Sequence, residues 1–260
     1  NNTSADVRTG NTLKVTTKEN WAHHIFNFEK LQFELGTGIS SGDWMLQVNT
    51  AGTGANTFDW NNVIVNGEAD WAANADGSKR VKLYQGDTLT FNNYDPLGSS
   101  HTSGNFEYGK TTNTTTPGAS TVTATEIYYD VNQFKNADVT YNTTTKPVPA
   151  SGVVYGGTST LGNTTTKNIL TLDGVSVSRA YGGYTQSNTG DSTNNEIIFK
   201  NNSVLNGPAY GGWSAQGNAT NNTITLSGKN SWNGWDYFYG GFSNNTSADV
   251  RTGNTLKVTT

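Results

Sequence analysis

Chemistry in a chain without thiols rests on carboxylates, imidazoles and aromatic rings, so their spacing is read first. The 260 residues include 20 Asp and Glu, 3 His and no Cys, which excludes disulfides, thiolate metal sites and a Cys nucleophile. Glycoside chemistry needs two carboxylates facing each other across a cleft. Asp173, Asp191, Glu196, Asp236 and Asp249 are the candidates, but none repeats its spacing with a partner, and Asp173-Gly174 has the form of a solvated turn. His23 and His24 are adjacent and His101 stands apart; neighbours in a strand point to opposite faces and cannot share one ion. The Gly pairs follow no phosphate-binding pattern. No catalytic residue, metal or cofactor is therefore expected. The feature above background is aromatic: Trp213, Trp232, Trp235 and Tyr237 lie close together near the C-terminus, and such rings make large rigid contacts with sugars or proteins. Tyr184, Trp213 and Phe242 also occupy one equivalent position, which suits an aromatic stack along a repeating fold.

The elements that carry these residues follow from composition. Counting gives 34 Asn, 41 Thr and 30 Gly, types that disfavour helix interiors. A net charge of only −4 and 29 aromatic residues (7 Trp, 12 Tyr, 10 Phe) argue against disorder. Scattered Lys and Arg with a pI near 5.3 give no basic stripe, so no nucleic-acid partner is expected. No apolar run approaches membrane-spanning length, and Asn1-Asn2-Thr3-Ser4 is not the start of a signal peptide. The expectation is an all-β chain with many turns.

Two periods organise it. Residues 1–17 and 244–260 are the same seventeen-residue sequence, NNTSADVRTGNTLKVTT. Identity at a fixed offset of 243 is the mark of a tandem array, and it makes the length 243 plus the start of another copy. A shorter period appears in Tyr-Gly-Gly at 155–157, 181–183, 210–212 and 239–241, spaced 26, 29 and 29. After each comes a polar stretch and then an alternating strand headed by Asn168, Asn195, Asn222 or Asn254. Its third and fifth residues are apolar: Leu170/Leu172, Ile197/Phe199, Ile224/Leu226 and Leu256/Val258. That alternation places each pair on one face. A third short segment precedes the next Tyr-Gly-Gly, as at 175–177 and 203–205. Three short strands per 26–29 residues describe a rung of a parallel β-solenoid, too small to bury its apolar pair alone and stable only when stacked. The four Asn then form a hydrogen-bonded ladder. Gly156, Gly157, Gly182, Gly183, Gly211, Gly212, Gly240 and Gly241 serve as corners that need positive φ or close approach.

The N-terminal half shows the same alternation less regularly, in 26–35, 45–48, 63–65, 81–83 and 88–91, with Gly42-Asp43 and Gly86-Asp87 as turns before two of the strands. Trp21, Ile25 and Phe28 sit at helical spacing, a rival local reading. We divide the chain into solenoid rungs over 1–97, a Thr/Pro-containing elaboration over 98–152, and Tyr-Gly-Gly rungs over 153–260 that run into the next 243-residue copy. Paired strands are expected in the elaboration around 127–131 and 139–141.

The Tyr-Gly-Gly rungs, together with FNFEKLQFEL at 26–35, GDWMLQV at 42–48 and GDTL at 86–89, resemble passenger regions of large bacterial autotransporter-type (AIDA-like) surface adhesins. The resemblance covers about residues 1–92 and 153–260. It departs at Gly36-Thr37-Gly38, where such blocks often have a Pro-containing turn, and residues 98–150 match nothing in it. It implies a right-handed parallel β-helix with an irregular β insertion, displayed extracellularly at the bacterial cell surface and exported unfolded, which absence of Cys suits. The family's translocating barrel is missing, as expected for an internal unit.

The functional expectation is a non-enzymatic structural or adhesive repeat of a surface fibre or adhesin stalk. Its partners would be adjacent copies end to end and host or bacterial surface glycans or proteins, with membrane contact only through parts outside this chain. Roughly nine rungs rising ~4.8 Å each would lengthen the shaft by on the order of 40 Å per copy. The alternative is a carbohydrate-binding passenger using its Trp and Tyr side chains, and a third reading is a β-helix polysaccharide-degrading enzyme.

Overall fold

The computed structural model describes residues 9–49, 56–72, 78–114, 119–186, 190–233 and 236–259. Its strands form a β-solenoid of about 7 turns, fewer than the nine anticipated, because residues 79–133 include a long strand, Thr121–Gln133, that pairs antiparallel instead of adding a parallel rung. The chain divides into two compact units, Asn1–His101 with Tyr108–Val131, and Thr102–Glu107 with Asn132–Thr260.

The strands up to the division are β1 (Thr12–Val15), β2 (Asn20–Ala22), β3 (Lys30–Glu34), β4 (Trp44–Val48), β5 (Asn56–Asp59), β6 (Val63–Asn66), β7 (Lys79–Asn92), β8 (His101–Ser103), β9 (Phe106–Thr112) and β10 (Thr121–Gln133). Alternation builds the first parallel ladder, β1-β3-β6, in which Leu13, Leu31 and Val63 stack in register, as do Val15, Phe33 and Val65. A second runs β2-β4-β7, with β5 also parallel to β7. Trp21 therefore belongs to a strand, and the helical spacing with Ile25 and Phe28 produces no helix. The one α-helix among the described residues is the short α1 (Glu68–Ala72).

Gly42 has φ 91° and turns the chain into β4, as its pairing with Asp43 suggests. Gly86 does something else. It lies inside β7 with φ 135°, where a side chain would run into the Val48 carbonyl. The two strands expected at 81–83 and 88–91 are therefore one bulged strand. β10 pairs antiparallel with β7.

The strands of the second unit are β11 (Asp138–Asn142), β12 (Val153–Ser159), β13 (Thr165–Thr166), β14 (Ile169–Asp173), β15 (Ser176–Val177), β16 (Arg179–Thr185), β17 (Ser192–Thr193), β18 (Glu196–Lys200), β19 (Val204–Leu205), β20 (Ala209–Ser214), β21 (Thr223–Ser227), β22 (Ser231–Trp232), β23 (Phe238–Ser243) and β24 (Thr255–Thr259). They stack as parallel columns: β11-β14-β18-β21-β24, β12-β16-β20-β23, β13-β17 and β15-β19-β22. Leu170, Leu172, Ile197, Phe199 and Ile224 fill the interior with Val177, Leu205, Val154, Ala180 and Ala209. Residues 98–152 are not a single elaboration. The strands near 127–131 and 139–141 exist but do not pair with each other, since β10 joins β7 while β11 is the first parallel rung on β14. Val139 and Tyr141 pack on the same core, so the apolar alternation of β11 makes it a rung.

Candidate functional site

The ladder begins with a corner. Asn136, Lys167, Asn194 and Asn221 have φ of 52°, 55°, 56° and 55°, and each immediately precedes a rung strand's first inward position. Gly253 continues this column with φ 69°. Asn and Gly tolerate that left-handed conformation best. The next residue is then Ala137, Asn168, Asn195, Asn222 or Asn254.

From Asn168 onward these side chains bond along the axis. Asn168 Nδ2 donates to Asn195 Oδ1 at 2.8 Å, Asn195 Nδ2 to Asn222 Oδ1 at 3.0 Å, and Asn222 Nδ2 to Asn254 Oδ1 at 3.2 Å. Each receiving oxygen also accepts the backbone N–H of the preceding rung's Asn, at 3.2, 3.0 and 2.9 Å. The second amide proton goes to a backbone carbonyl: Phe134 for Asn168, Thr165 for Asn195, Ser192 for Asn222 and Ala219 for Asn254. Asn168, Asn195 and Asn222 are buried with their hydrogen-bonding capacity filled, which is the condition for burying an amide without penalty. At the other end, Ala137 donates its N–H to Asn168 Oδ1 at 3.0 Å.

The Gly pairs belong to the same device, but not as corners. They stand within β12, β16, β20 and β23, and none is among the positive-φ residues. A methyl group on Gly156, Gly182 or Gly211 would strike the carbonyl of the first Gly in the next rung; on Gly157, Gly183 or Gly212 it would strike the ladder amide. On Gly240 it would strike the Asn254 side chain, and on Gly241 the Ala219 carbonyl and the Asn254 amide. Close approach, not turning, requires them.

Two aromatic columns run beside this ladder. Tyr155, Tyr181, Tyr210 and Tyr239 stack at centroid separations of 5.1, 5.0 and 5.0 Å, with planes within 7–10° of parallel. Tyr184, Trp213 and Phe242 form the second column, at 4.6 and 6.4 Å, with Thr158 in the corresponding place of the first rung. Rings of one column meet the other edge-on, as Tyr181 does Tyr184 at 4.8 Å. Burial pushes the Tyr184 phenol up to about 12, so it stays neutral.

Of the four aromatics singled out for ligand contact, three lie among the described residues and each has a different setting. Trp213 is a member of the second column. Trp232 pairs with Leu205, which pairs through β19 and β15 with Val177, so it continues an inward column and packs edge-on against Phe199 and Phe238 at 5.7 and 4.9 Å. Tyr237 is exposed. Trp235 lies outside the described residues.

The four candidate carboxylates among the described residues are each engaged separately. Asp173 binds Lys200 at 3.2 Å, and Asn201 and Lys200 hold its pKa below the usual range. Asp191 accepts the Asn218 N–H at 2.7 Å, Glu196 accepts from the Thr225 hydroxyl at 2.7 Å, and Asp236 accepts from the Asn233 N–H. The Asp249 side chain is outside the described residues. Among the described residues no three His, Asp or Glu side chains group as a metal site.

Sequence reasoning missed Glu107. Its buried carboxylate accepts from Ser159 Oγ at 2.7 Å, Asn163 Nδ2 at 2.8 Å, Asn132 Nδ2 at 2.9 Å and the N–H groups of Thr160 and Leu161 at 2.8 and 3.2 Å. Burial nevertheless raises its pKa above the ordinary value, against the pull of those donors. Ser159 is the first member of the column that continues through Thr185, Ser214 and Ser243, so Glu107 anchors the rungs at their start. Nothing local in the sequence marks it.

What this arrangement does chemically is hold successive rungs in register. Comparison with known proteins finds no family model, no curated protein and no solved structure that matches this chain.

Proposed function

We propose that the chain is a non-enzymatic repeat unit of an extracellular bacterial surface fibre or adhesin stalk, in which successive 243-residue copies stack into one extended solenoid. The observation that carries this reading is the duplicated segment. Its described parts take one conformation twice: Gly10 and Gly253 have φ of 79° and 69°, and each leads into a parallel strand, β1 or β24, at the end of a ladder. Stacking copies covers the open sheet edges that otherwise invite aggregation. The passenger resemblance and the absence of Cys support display at the cell surface.

Chains of one, two and four copies, measured by electron microscopy, should lengthen by a constant increment per copy; globules that grow in all dimensions would overturn the proposal. The glycan-binding alternative finds less support, because the Tyr and Trp columns stack ring on ring and turn their faces to each other, whereas a sugar platform presents a free face. Binding on a glycan array that Tyr237→Ala abolishes would revive it.

A further inference from the structure

The last rung of the second unit leaves its core side open. Leu256 and Val258 follow Ile224 and Leu226 in the inward columns, yet they are 56% and 71% exposed. Trp232, which follows Leu205, is 38% exposed. A recess of about 370 Å³ lies among Ile224, Phe238, Asn254 and Leu256. These positions are interior everywhere else in their columns; here the next rung is lacking.

The same residues 243 positions earlier show what covers them. Val15, the counterpart of Val258, is only 5% exposed. There β3 lies parallel to β1, pairing Leu13 with Leu31, Lys14 with Gln32 and Val15 with Phe33. Lys14 also reaches Glu34 at 3.1 Å. The polar ladder shows its two halves at the two sites. Asn254 accepts from Asn222 behind it, while its counterpart Asn11 donates forward to the Asn27 carbonyl at 3.0 Å.

We infer that strand Lys30–Glu34 of a following copy of this sequence docks on β24, parallel and in the register of β1 on β3, so that Leu256 meets Leu31, Lys257 meets Gln32 and Val258 meets Phe33. One strand then belongs to both ladders: it closes the Tyr-Gly-Gly rungs on one edge and opens the next copy on the other. This rests on the tandem reading above and specifies its joint. The backbone agrees. Thr255 donates its N–H back to the Asn222 carbonyl at 2.8 Å, and alternation along a strand turns the N–H groups of Leu256 and Val258 toward the incoming strand.

The test compares the 260-residue chain with one in which a second run of residues 18–260 follows Thr260. In the lengthened chain the Leu256 and Val258 amides should exchange with deuterium at least about 100-fold more slowly, having gained ladder bonds. Unchanged rates overturn the inference. Register is read by paired cysteines: Lys257→Cys should form a disulfide at least about tenfold faster with Gln32→Cys of the second run than with Glu34→Cys, since an in-register pair is within disulfide reach and a diagonal one is not. Equal or reversed rates overturn the register. A constant length increment with unprotected amides would leave the fibre standing and remove this joint. Protected amides in chains that do not lengthen regularly would do the opposite.

Discussion

In the second unit two columns repeat one residue type from rung to rung, Asn168 on Asn195 on Asn222 and Tyr155 on Tyr181 on Tyr210. In the first unit the β1-β3-β6 ladder is parallel too, but its inward column mixes residue types: Val15 is followed by Phe33 and then Val65. Its polar problems are also solved singly. Lys110 is buried with its ammonium donating to the Trp60 and Val63 carbonyls at 2.8 and 2.6 Å, over the Trp60 ring at 4.7 Å. Arg80 grips the buried Asp130 through two nitrogens, at 2.5 and 2.9 Å. A translated amide satisfies itself at every rung, so one residue choice repeated along the axis serves the whole stack, and stability becomes a sum of nearest-neighbour terms. A one-off contact must be matched at one place and transmits nothing to the next rung.

The sharpest way to break this contrast is at the middle of the ladder. Asn195→Ala removes the acceptor of both the Asn168 N–H and the Asn168 amide, and the donor to Thr165 and Asn222. Several buried groups are left unpaired at once, so the expected loss is about 4 kcal/mol, measured by urea unfolding. Gly183→Ala should cost about 3 kcal/mol by driving a methyl group into the same amide. A loss below about 1 kcal/mol for both would mean that the ladder is incidental to stability.

The comparison also separates by pH. Burial lowers the Lys110 pKa to about 8, with nearby Asp59 opposing. The unfolded side chain titrates near ~10.4. Below about 8 both states carry the proton and the burial penalty is constant. As pH rises from there, the folded state releases its proton first and the penalty is relieved, so stability rises. Lys110→Met lacks this term. The wild type should gain about 2 kcal/mol relative to that variant between pH 7 and 10, whereas Asn195→Ala should show a pH-independent deficit. Parallel pH profiles for wild type and Lys110→Met would show that burial does not lower the Lys110 pKa.

What was legible in the sequence follows the same division. A period displays columns, so the four ladder Asn and the apolar pairs could be read from spacing alone. The Gly pairs are visible as requirements, but spacing alone does not separate a corner of positive φ from close approach between neighbouring rungs. The true corner lies one residue before each ladder position; Asn136, Asn194, Asn221 and Gly253 hint at it, and Lys167 obscures it. Trp232 is hard to place from spacing because its column, Val177 and Leu205, contains no other aromatic ring. Glu107 and Lys110 look like ordinary polar residues; only contacts far along the chain bury them, and no periodicity records such contacts.

Smaller effects test whether stacking of rings carries weight of its own. Tyr210→Leu keeps apolar bulk but loses two parallel neighbours, Tyr181 and Tyr239, and should cost about 1–2 kcal/mol. A double-mutant cycle with Tyr181→Leu isolates the pair; a coupling indistinguishable from zero would reduce the column to ordinary surface burial.

The smallest effect is on the exposed face of the first unit, where Glu34 is its nearest analogue of a cross-rung ladder. Its carboxylate accepts from Asn66 on one neighbouring strand at 3.0 Å and from Gln32 on its own strand at 2.6 Å, and pairs with Lys14 on the other neighbour at 3.1 Å. These donors, Asn66 first and then Gln32 and Lys14, hold its pKa down to about 2. A depressed folded pKa contributes stability above the unfolded value near ~4.3, lost progressively as pH falls toward about 2. Water screens the group, so Glu34→Gln should leave the melting temperature nearly unchanged at pH 7. Its carboxyl carbon, followed by NMR, should nonetheless titrate well below an ordinary glutamate. A midpoint near ~4.3 would mean that this network does not persist in solution. The satisfied, buried amide column would then be the only cross-rung polar device of the two that survives exposure to water, because burial and not hydrogen-bond count sets the difference.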